Sequence, residues 1–209
     1  NGDEVTLYVV GDIGYMAKSA TGNDANRTVL MVYDWKDDVG GWNNDQQAKV
    51  ILANGDKETV TINDDDADAD DDADVVAFED IKRGQMYSYD INNDDEFILT
   101  ELDQDVEFTL AGYDRVETST GVTSSKVAGT AIADDAVVFA MIGENDAAVY
   151  TGKQVKDAAD GDDYGEFTNT YNDAGALQQA LIQSEGGFTY ARMFNIEIDE
   201  LNSIVNYGW

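Results

Sequence analysis

The chain of 209 residues contains 43% apolar and 10% aromatic side chains, enough to bury a sizeable core. Its 44 acidic and 12 basic residues give a formal charge of −32, which opposes binding to nucleic acid and to anionic membrane surfaces and favours cations. It has no His, Cys or Pro. Disulfides, thiolate or imidazole metal sites and histidine-dependent catalysis are therefore excluded.

The first part of the chain predicts four short strands. Runs rich in β-branched and aromatic residues, bounded by Gly, Asn and Asp, lie at residues 4–10, 27–35, 48–53 and 57–62. The sequence Asn54-Gly55-Asp56 separates the last two runs, and an Asn-Gly step in this position is a strong signal for a tight turn. We therefore predict a β-hairpin over residues 48–62.

An acidic run follows this hairpin at residues 63–74. Eight of the eleven residues from Asp64 to Asp74 are Asp. Like charges at this density repel one another and leave nothing apolar to bury, so we expect a solvated loop that is extended or disordered. Diffuse binding of cations by this loop is the alternative.

Strand patterns resume after the acidic loop. They lie at residues 85–91, 96–102, 105–117, 136–142, 147–152, 188–198 and 201–207. A passage rich in Ser, Thr and Gly at 118–125 is the predicted domain boundary, between modules 1–117 and 118–209.

One helix is predicted at residues 174–185. Asp173 would be its N-cap and Gly186 its end, and leucines recur at helical spacing between them. The expected fold is all-β, with two small β-sandwich or barrel-like modules and this one short helix in the C-terminal half.

Residues 90–101 partly match the ligand spacing of a calcium-binding EF-hand loop. Asp90, Asn92 and Asp94 occupy positions one, three and five, and Glu101 occupies position twelve. Position six carries Asp95 instead of Gly, and the flanking segments have the patterns of strands instead of helices. We therefore predict a β-hairpin with its turn at 92–95. The alternative is a Ca²⁺ site formed by Asp90, Asn92 and Asp94 in that turn.

A second acidic segment, 157–166, places Asp160 and Asp162 at the spacing of a calcium loop. Tyr164 and Tyr171 stand where further ligands would be needed, which favours a solvated acidic loop. A Ca²⁺ site that includes Asp160 and Asp162 is the alternative. The sequence predicts no cofactor apart from Ca²⁺ at these two places.

Catalysis would have to rely on carboxylates, and their abundance leaves glycosidase-like chemistry open. A general acid needs an apolar pocket that raises its pKa, whereas most acidic residues here stand in hydrophilic runs. We therefore predict that the protein is not an enzyme. Trp35, Trp42 and Trp209 are expected to be core or rim aromatics of β-sheets, and a sugar-stacking platform is the alternative.

Four motifs succeed one another between Gly14 and Val155. They read "GYMAKSATGNDANRTVLMVYDWKDD", "AKVILANGDKETVTI", "IKRGQMYSYDINNDDEFILTEL" and "IADDAVVFAMIGENDAAVYTGKQV". Their succession resembles the β-rich modules that accompany S-layer homology domains in secreted bacterial cell-surface proteins. The resemblance implies a structural protein of a surface layer or appendage. This sequence does not contain the S-layer homology domains themselves, and its acidic run at 63–74 is an insertion relative to the pattern.

The expected function is that of an extracellular structural protein at a bacterial cell surface that self-assembles into a surface layer or a pilus-like filament. The runs at 4–10 and 201–207 are apolar and are expected to join copies into a homopolymer, with cations screening or bridging the acidic surface. Since the chain begins with Asn1 we expect a processed, exported protein, and no apolar run is long enough to predict membrane insertion. The alternatives are a carbohydrate-binding or adhesive surface module and, third, a glycoside-active enzyme.

Overall fold

The computed structural model describes residues 5–10, 13–18, 29–36, 46–65, 67, 75–104, 107–113, 116–117, 125–143, 145–159 and 178–198. These residues form a five-stranded sheet, a seven-stranded sheet, a two-stranded hairpin and a single α-helix. The all-β class with one short helix is therefore confirmed.

The N-terminal hairpin consists of β1 (Val5–Val10) and β2 (Ile13–Lys18). The two strands are antiparallel, with Val5 opposite Lys18 and Val10 opposite Ile13. Within the described part of the chain, neither strand is hydrogen-bonded to a strand of the larger sheets. The strand predicted at 4–10 is confirmed, and its partner β2 was not among the predicted strands.

The five-stranded sheet is entirely antiparallel and has the order β5-β4-β3-β6-β7. Its strands are β3 (Val29–Lys36), β4 (Gln47–Leu52), β5 (Lys57–Thr61), β6 (Met86–Ile91) and β7 (Phe97–Glu101). The hairpin predicted around Asn54 is confirmed, because Leu52 N donates to Asp56 O at 2.9 Å and Gly55 has a φ of +90°. This positive φ is the conformation for which glycine is favoured.

The seven-stranded sheet contains the remaining strands. They are β8 (Phe108–Tyr113), β9 (Val116–Glu117), β10 (Lys126–Val127), β11 (Thr130–Ile142), β12 (Asp146–Thr151), β13 (Gln178–Glu185) and β14 (Phe188–Ile198). The order is β8-β13-β14-β11, and the long strand β11 pairs with β10 over its first part and with β12 over its last part. The pair β11 and β14 is parallel, whereas the other pairs of this sheet are antiparallel.

The two large sheets pack face to face. The inter-sheet core is the buried apolar cluster to which both sheets contribute: Val29, Met31, Tyr33, Ile51, Met86, Leu102, Phe108, Phe139, Met141, Ala147 and Leu181. The run "VLMVY" in β3 is apolar at every position because alternate residues enter different cores. Met31 lies in the inter-sheet core, and its neighbours Leu30 and Val32 lie on the opposite face of the sheet.

Both outer faces are covered as well. On the five-stranded sheet, the segment that carries Ile62, Val76 and Phe78 covers Leu30, Val50 and Leu99. On the seven-stranded sheet, the helix supplies the fully buried Val155 to a second outer core. Burial on both faces explains why central strands read as continuous apolar runs.

A buried polar bridge crosses from one sheet to the other. The side-chain amide of Asn195 donates to Gly84 O at 2.6 Å, and its oxygen accepts from Gln179 N at 2.6 Å. The Gln179 side chain in turn accepts from Met86 N at 2.8 Å. Asn195 is 1% exposed and Gln179 is 7% exposed. Water could therefore not replace a lost hydrogen-bond partner, and the remaining polar group would be buried without a hydrogen bond.

The helix predicted at 174–185 is wrong for the residues that the structure describes, because residues 178–185 form β13. Residues 174–177 lie outside the described residues. Ala180 lies in an outer core and its neighbour Leu181 in the inter-sheet core, which is the alternation of a strand. Pairing with β8 on one side and β14 on the other overrides the helix-like sequence spacing.

The predicted boundary at 117/118 does not coincide with the change from one sheet to the other. The strands β8 and β9 precede this boundary, yet they belong to the seven-stranded sheet together with strands that follow it. The chain passes between the sheets after β7, and the inter-sheet core joins them.

The helix α1 (Gly152–Ala159) begins directly after β12, at a residue predicted to end a strand. Thr151 and Gln154 form a capping box, in which Thr151 Oγ1 accepts from Gln154 N at 3.2 Å and Gln154 Oε1 accepts from Thr151 N at 2.8 Å. The Thr-x-x-Gln spacing was a sequence signal for this helix, and the strand pattern that precedes it concealed the signal.

The helix packs on a large bulge in β11. Residues 133–136 fall between the partner pairs Ile132–Ala191 and Val137–Met193, so this stretch has Arg192 alone opposite it. Lys156 of α1 binds Asp134, and Arg192 donates to Asp135 at 2.8 Å. The bulge lies where β11 changes its partner from β10 to β12.

We expect Gly152→Ala to lower the free energy of unfolding by about 1–3 kcal/mol, because an added Cβ would overlap Ala133 O and lie 2.7 Å from Ile132 Cγ2. Gly112→Ala is the matched control, since the nearest atom to its new Cβ, Gln178 O, would be 3.9 Å away. Urea unfolding of both variants measures the difference. Equal stabilities would show that α1 does not pack closely on the bulge.

Candidate functional site

The partial EF-hand match forms a β-hairpin turn. Strands β6 and β7 flank it, with Ile91 opposite Phe97 and Tyr87 opposite Glu101. Glu101 therefore lies at the end of β7 that is remote from the turn, where it cannot act as the closing ligand of an EF-hand. The hairpin prediction is confirmed.

The Asn92 side chain forms hydrogen bonds with other residues of the same turn. The side-chain oxygen of Asn92 accepts from Asp94 N at 2.9 Å and from Glu96 N at 3.0 Å. The Asn92 amide donates to Glu96 Oε2 at 2.8 Å, and Asn63 donates to the same oxygen at 3.0 Å. The hydrogen bond from Asn92 is the main cause of the lowered pKa of Glu96, and the hydrogen bond from Asn63 contributes in the same direction. Asn92 is therefore an organising residue of the turn.

The predicted metal ligands lie in three different situations. Asp90 and Asp94 are exposed, Asn92 is half-buried, and Asp160 and Asp162 lie outside the described residues. The described residues include no group of three or more His, Cys, Asp or Glu side chains that could hold a metal ion. Calcium binding at these five residues stays a prediction.

The acidic run at 63–74 is described only at 63–65 and 67. Asp64 Oδ2 accepts from Phe78 N at 2.9 Å, at the start of a short 3-10 helix (Phe78–Asp80). Phe78 is buried in the outer core of the five-stranded sheet. The beginning of the run therefore holds this covering segment in place, a structural role that the count of acidic residues did not indicate.

A shallow groove lies at one end of the five-stranded sheet. Its volume is about 230 Å³, and three adjacent strands supply its lining residues: Asp34, Trp35, Gln47, Ala48, Lys49 and Thr59. Trp35 is 38% exposed, and beside it Lys49 donates to Asp34 at 2.7 Å. This hydrogen bond raises the pKa of Lys49. The groove combines an aromatic face with polar groups that can donate and accept hydrogen bonds.

Another exposed aromatic group lies at the start of β14. Phe188 is 67% exposed, and its ring centroid is 6.5 Å from that of Tyr190 at an angle of 37°. Arg192 lies 5.6 Å from the Tyr190 ring centroid and donates to Glu185 at 2.5 Å. These rings are tilted instead of coplanar, which makes them a poorer flat platform than Trp35.

Three carboxyl groups in the described part of the chain have a lowered pKa. A hydrogen bond from Lys156 lowers the pKa of Asp134, and one from Lys57 lowers the pKa of Asp146. The pKa of Glu96 is lowered as well, by its hydrogen bonds in the turn. A catalytic general acid requires the opposite shift. These three groups are therefore suited to ion pairs and turns.

Comparisons with protein-family models, curated proteins and solved structures return no match for this chain. Within the described residues no helix is long and apolar enough to cross a membrane.

We expect Glu101→Gln to leave the affinity for calcium unchanged in isothermal titration calorimetry, because Glu101 lies at the far end of β7 from the turn. Asp94→Asn provides the comparison, since Asp94 lies within the turn and would weaken a site built there. A large loss of affinity in Glu101→Gln alone would contradict the hairpin and restore the EF-hand.

Proposed function

We propose that this chain is an extracellular structural protein of a bacterial cell surface that self-assembles into a surface layer or filament through its terminal strands. The observation that carries the proposal is the N-terminal hairpin, whose two strands pair with each other and with no strand of the larger sheets in the described part of the chain. The strand pattern at 201–207, the other terminal strand of the proposal, lies outside the described residues.

The hairpin needs a partner for physical reasons. An isolated two-stranded hairpin is marginally stable in water, and three or more strands or a packing surface are usually needed. The sequences "VTLYVV" and "IGYMAK" contain one charged residue, Lys18, in a chain of which 27% is charged. A second copy of the chain is a partner that would satisfy the open backbone groups of the hairpin and cover its apolar sequence.

The alternative of a glycoside-active enzyme has less support. Glu96, Asp134 and Asp146 have lowered pKa values, and the groove at Trp35 is smaller than the roughly 300–1,000 Å³ of typical small-molecule sites. The two large sheets form a packed scaffold with covered faces. These features favour a structural role over catalysis.

Charge sets the conditions under which assembly would occur. Copies that carry −32 charges repel each other within the screening length, about 30 Å at 0.01 M salt and about 8 Å at 0.15 M. Cations are therefore partners in this proposal, either as a screening atmosphere or as calcium bridges between acidic loops. Nucleic acid and anionic lipid are unsuitable partners for the same surface.

We expect deletion of residues 1–18 to leave a folded monomer that no longer assembles at 0.15 M salt. Size-exclusion chromatography with light scattering measures the mass, negative-stain microscopy reports order, and circular dichroism confirms the fold. Leu7→Lys tests the same strand without truncation, and Asn145→Lys is the control because Asn145 is exposed in a turn. Assembly by the deleted chain, or loss of its β-sheet spectrum, would contradict the proposal.

A carbohydrate-binding or adhesive module is the second candidate, and the groove at Trp35 favours it. Aromatic rings stack on the apolar faces of sugars, and the charged pair Asp34–Lys49 with Gln47 and Thr59 offers hydrogen bonds to hydroxyl groups. This site could coexist with assembly, since it lies at the end of the five-stranded sheet and not on the hairpin.

If the groove binds sugar, Trp35→Ala abolishes the signal of the wild-type protein on a glycan array. Phe188→Ala serves as the matched control, because Phe188 is an exposed aromatic residue outside the groove. A wild-type protein that binds no glycan, or a Trp35→Ala variant that binds as well as the wild type, removes this second candidate.

A further inference from the structure

We propose that β8 (Phe108–Tyr113) is the acceptor edge of the assembly and pairs with β1 (Val5–Val10) of a second copy. This inference rests on the proposed self-assembly and specifies the surface that receives the N-terminal hairpin. It follows from a comparison of the edge strands of the two large sheets in the described part of the chain, among which β8 has neither a charge nor a described cover over residues 109–113.

The outer edge of β7 is covered by its own chain. Asn63 N donates to Phe97 O at 2.9 Å, and Val76 N donates to Leu99 O at 2.9 Å. The segments on both sides of the acidic run therefore lie along this edge. Another chain would have to displace them before it could pair with β7.

The edges at the opposite side of the sandwich carry charges. Strand β5 begins with Lys57 and Glu58, and Lys57 donates to Asp146, the first residue of β12, at 2.5 Å. This exposed ion pair joins the edge strands of the two sheets. Charged residues on an edge strand are a common device against pairing with other chains.

Over residues 109–113, strand β8 has neither form of protection within the described part of the chain. It pairs with β13 from Phe108 opposite Gln183 to Tyr113 opposite Gln178, and with no other strand that the structure describes. Its sequence, FTLAGY, has no charged residue, and its register shows no bulge. The backbone groups of Thr109 to Tyr113 form no hydrogen bond with a described residue beyond β13. An edge of this kind is a template for an added strand.

Both ends of β8 are fixed to the interior. Phe108 is buried in the inter-sheet core, and the Tyr113 hydroxyl donates to Asn195 O in the central strand β14. Desolvation of the hydroxyl raises the pKa of the partly buried Tyr113 well above its usual value, which keeps this hydroxyl protonated as a donor. The edge is therefore held in a strand conformation before a partner arrives, which reduces the entropy cost of pairing.

Strand β1 matches this edge in length and in charge. Both strands have six residues, and neither contains a charged side chain. In a molecule with 44 acidic residues, a contact between two uncharged strands avoids the repulsion that most other surfaces would produce. The other hairpin strand, β2, ends in Lys18 and matches less well.

Edge-blocking substitutions test the acceptor edge. Thr109→Lys and Thr109→Glu both place a charge at an exposed position of β8, and Thr189→Lys and Thr189→Glu are matched controls at an exposed position of the central strand β14. We expect both Thr109 variants to lose the assembled peak in light scattering and both Thr189 variants to retain it. Loss in Thr109→Glu with full retention in Thr109→Lys would indicate general repulsion and overturn the proposal.

Disulfide trapping tests the pairing of β1 with β8 directly, since the chain has no Cys of its own. Single variants Thr6→Cys and Tyr8→Cys are each mixed with Thr109→Cys or Ala111→Cys and oxidised, and Thr189→Cys is the exposed control. We expect mixed disulfides between a β1 variant and a β8 variant, identified by mass, and none with Thr189→Cys.

The results separate this inference from the proposed function. Wild-type assembly that persists in the Thr109 variants, without mixed disulfides to β8, would overturn the acceptor edge and leave self-assembly intact. A wild-type chain that stays monomeric under all salt conditions would overturn both. A disulfide within one chain of the double variant Thr6→Cys/Thr109→Cys, in place of the mixed ones, would show that β8 pairs with its own β1.

Discussion

The inter-sheet core is the constraint on which the rest of the structure depends. It combines Met31 and Met86 from the five-stranded sheet with Phe139 and Leu181 from the seven-stranded sheet. At its side, Asn195 and Gln179 satisfy backbone groups next to β6 that would otherwise be buried without partners. Gly84, which accepts from Asn195, also donates to Val32 O at 2.7 Å, so the bridge reaches the central strand β3.

Local patterns in the sequence were sufficient for most strands. The strand patterns on both sides of residues 92–95 predicted the β6–β7 hairpin, and Asn54-Gly55 predicted the β4–β5 hairpin, because such turns are determined by neighbouring residues. The same reliance on neighbouring residues explains the wrong prediction of a helix at 174–185. Strand β13 has the spacing of a helix in isolation and becomes a strand because β8 and β14 pair with it on both sides.

Long-range pairing could not be predicted in this way. The parallel pair β11–β14 joins segments more than fifty residues apart, and nothing in either segment specifies the other. The bulge at 133–136, with Lys156 and Arg192 bound to its aspartates, depends on that pairing. The groove is a similar case: Trp35 was recognised as an aromatic of interest, but Lys49 and Thr59 join it only through the register of three strands.

The proposed function rests on the difference between the sheet faces and edges that are covered or charged and the strand edges that are neither. The apolar faces of the large sheets are covered, one edge is covered by residues around the acidic run, and others carry charges. Strand β1 of the hairpin and strand β8 are the uncharged strand edges that remain in the described part of the chain. A strongly acidic protein could associate through such edges while the rest of its surface keeps copies apart.

The central claim is that the two sheets form one cooperative unit, and native-state hydrogen exchange in Asn195→Asp tests it most directly. The introduced carboxylate cannot donate to Gly84 O, so we expect it to cost about 3 kcal/mol or more. The account predicts that the slowest amides of both sheets lose protection by the same amount, and that the exposed control Asn145→Asp changes neither. A loss confined to the seven-stranded sheet would contradict it.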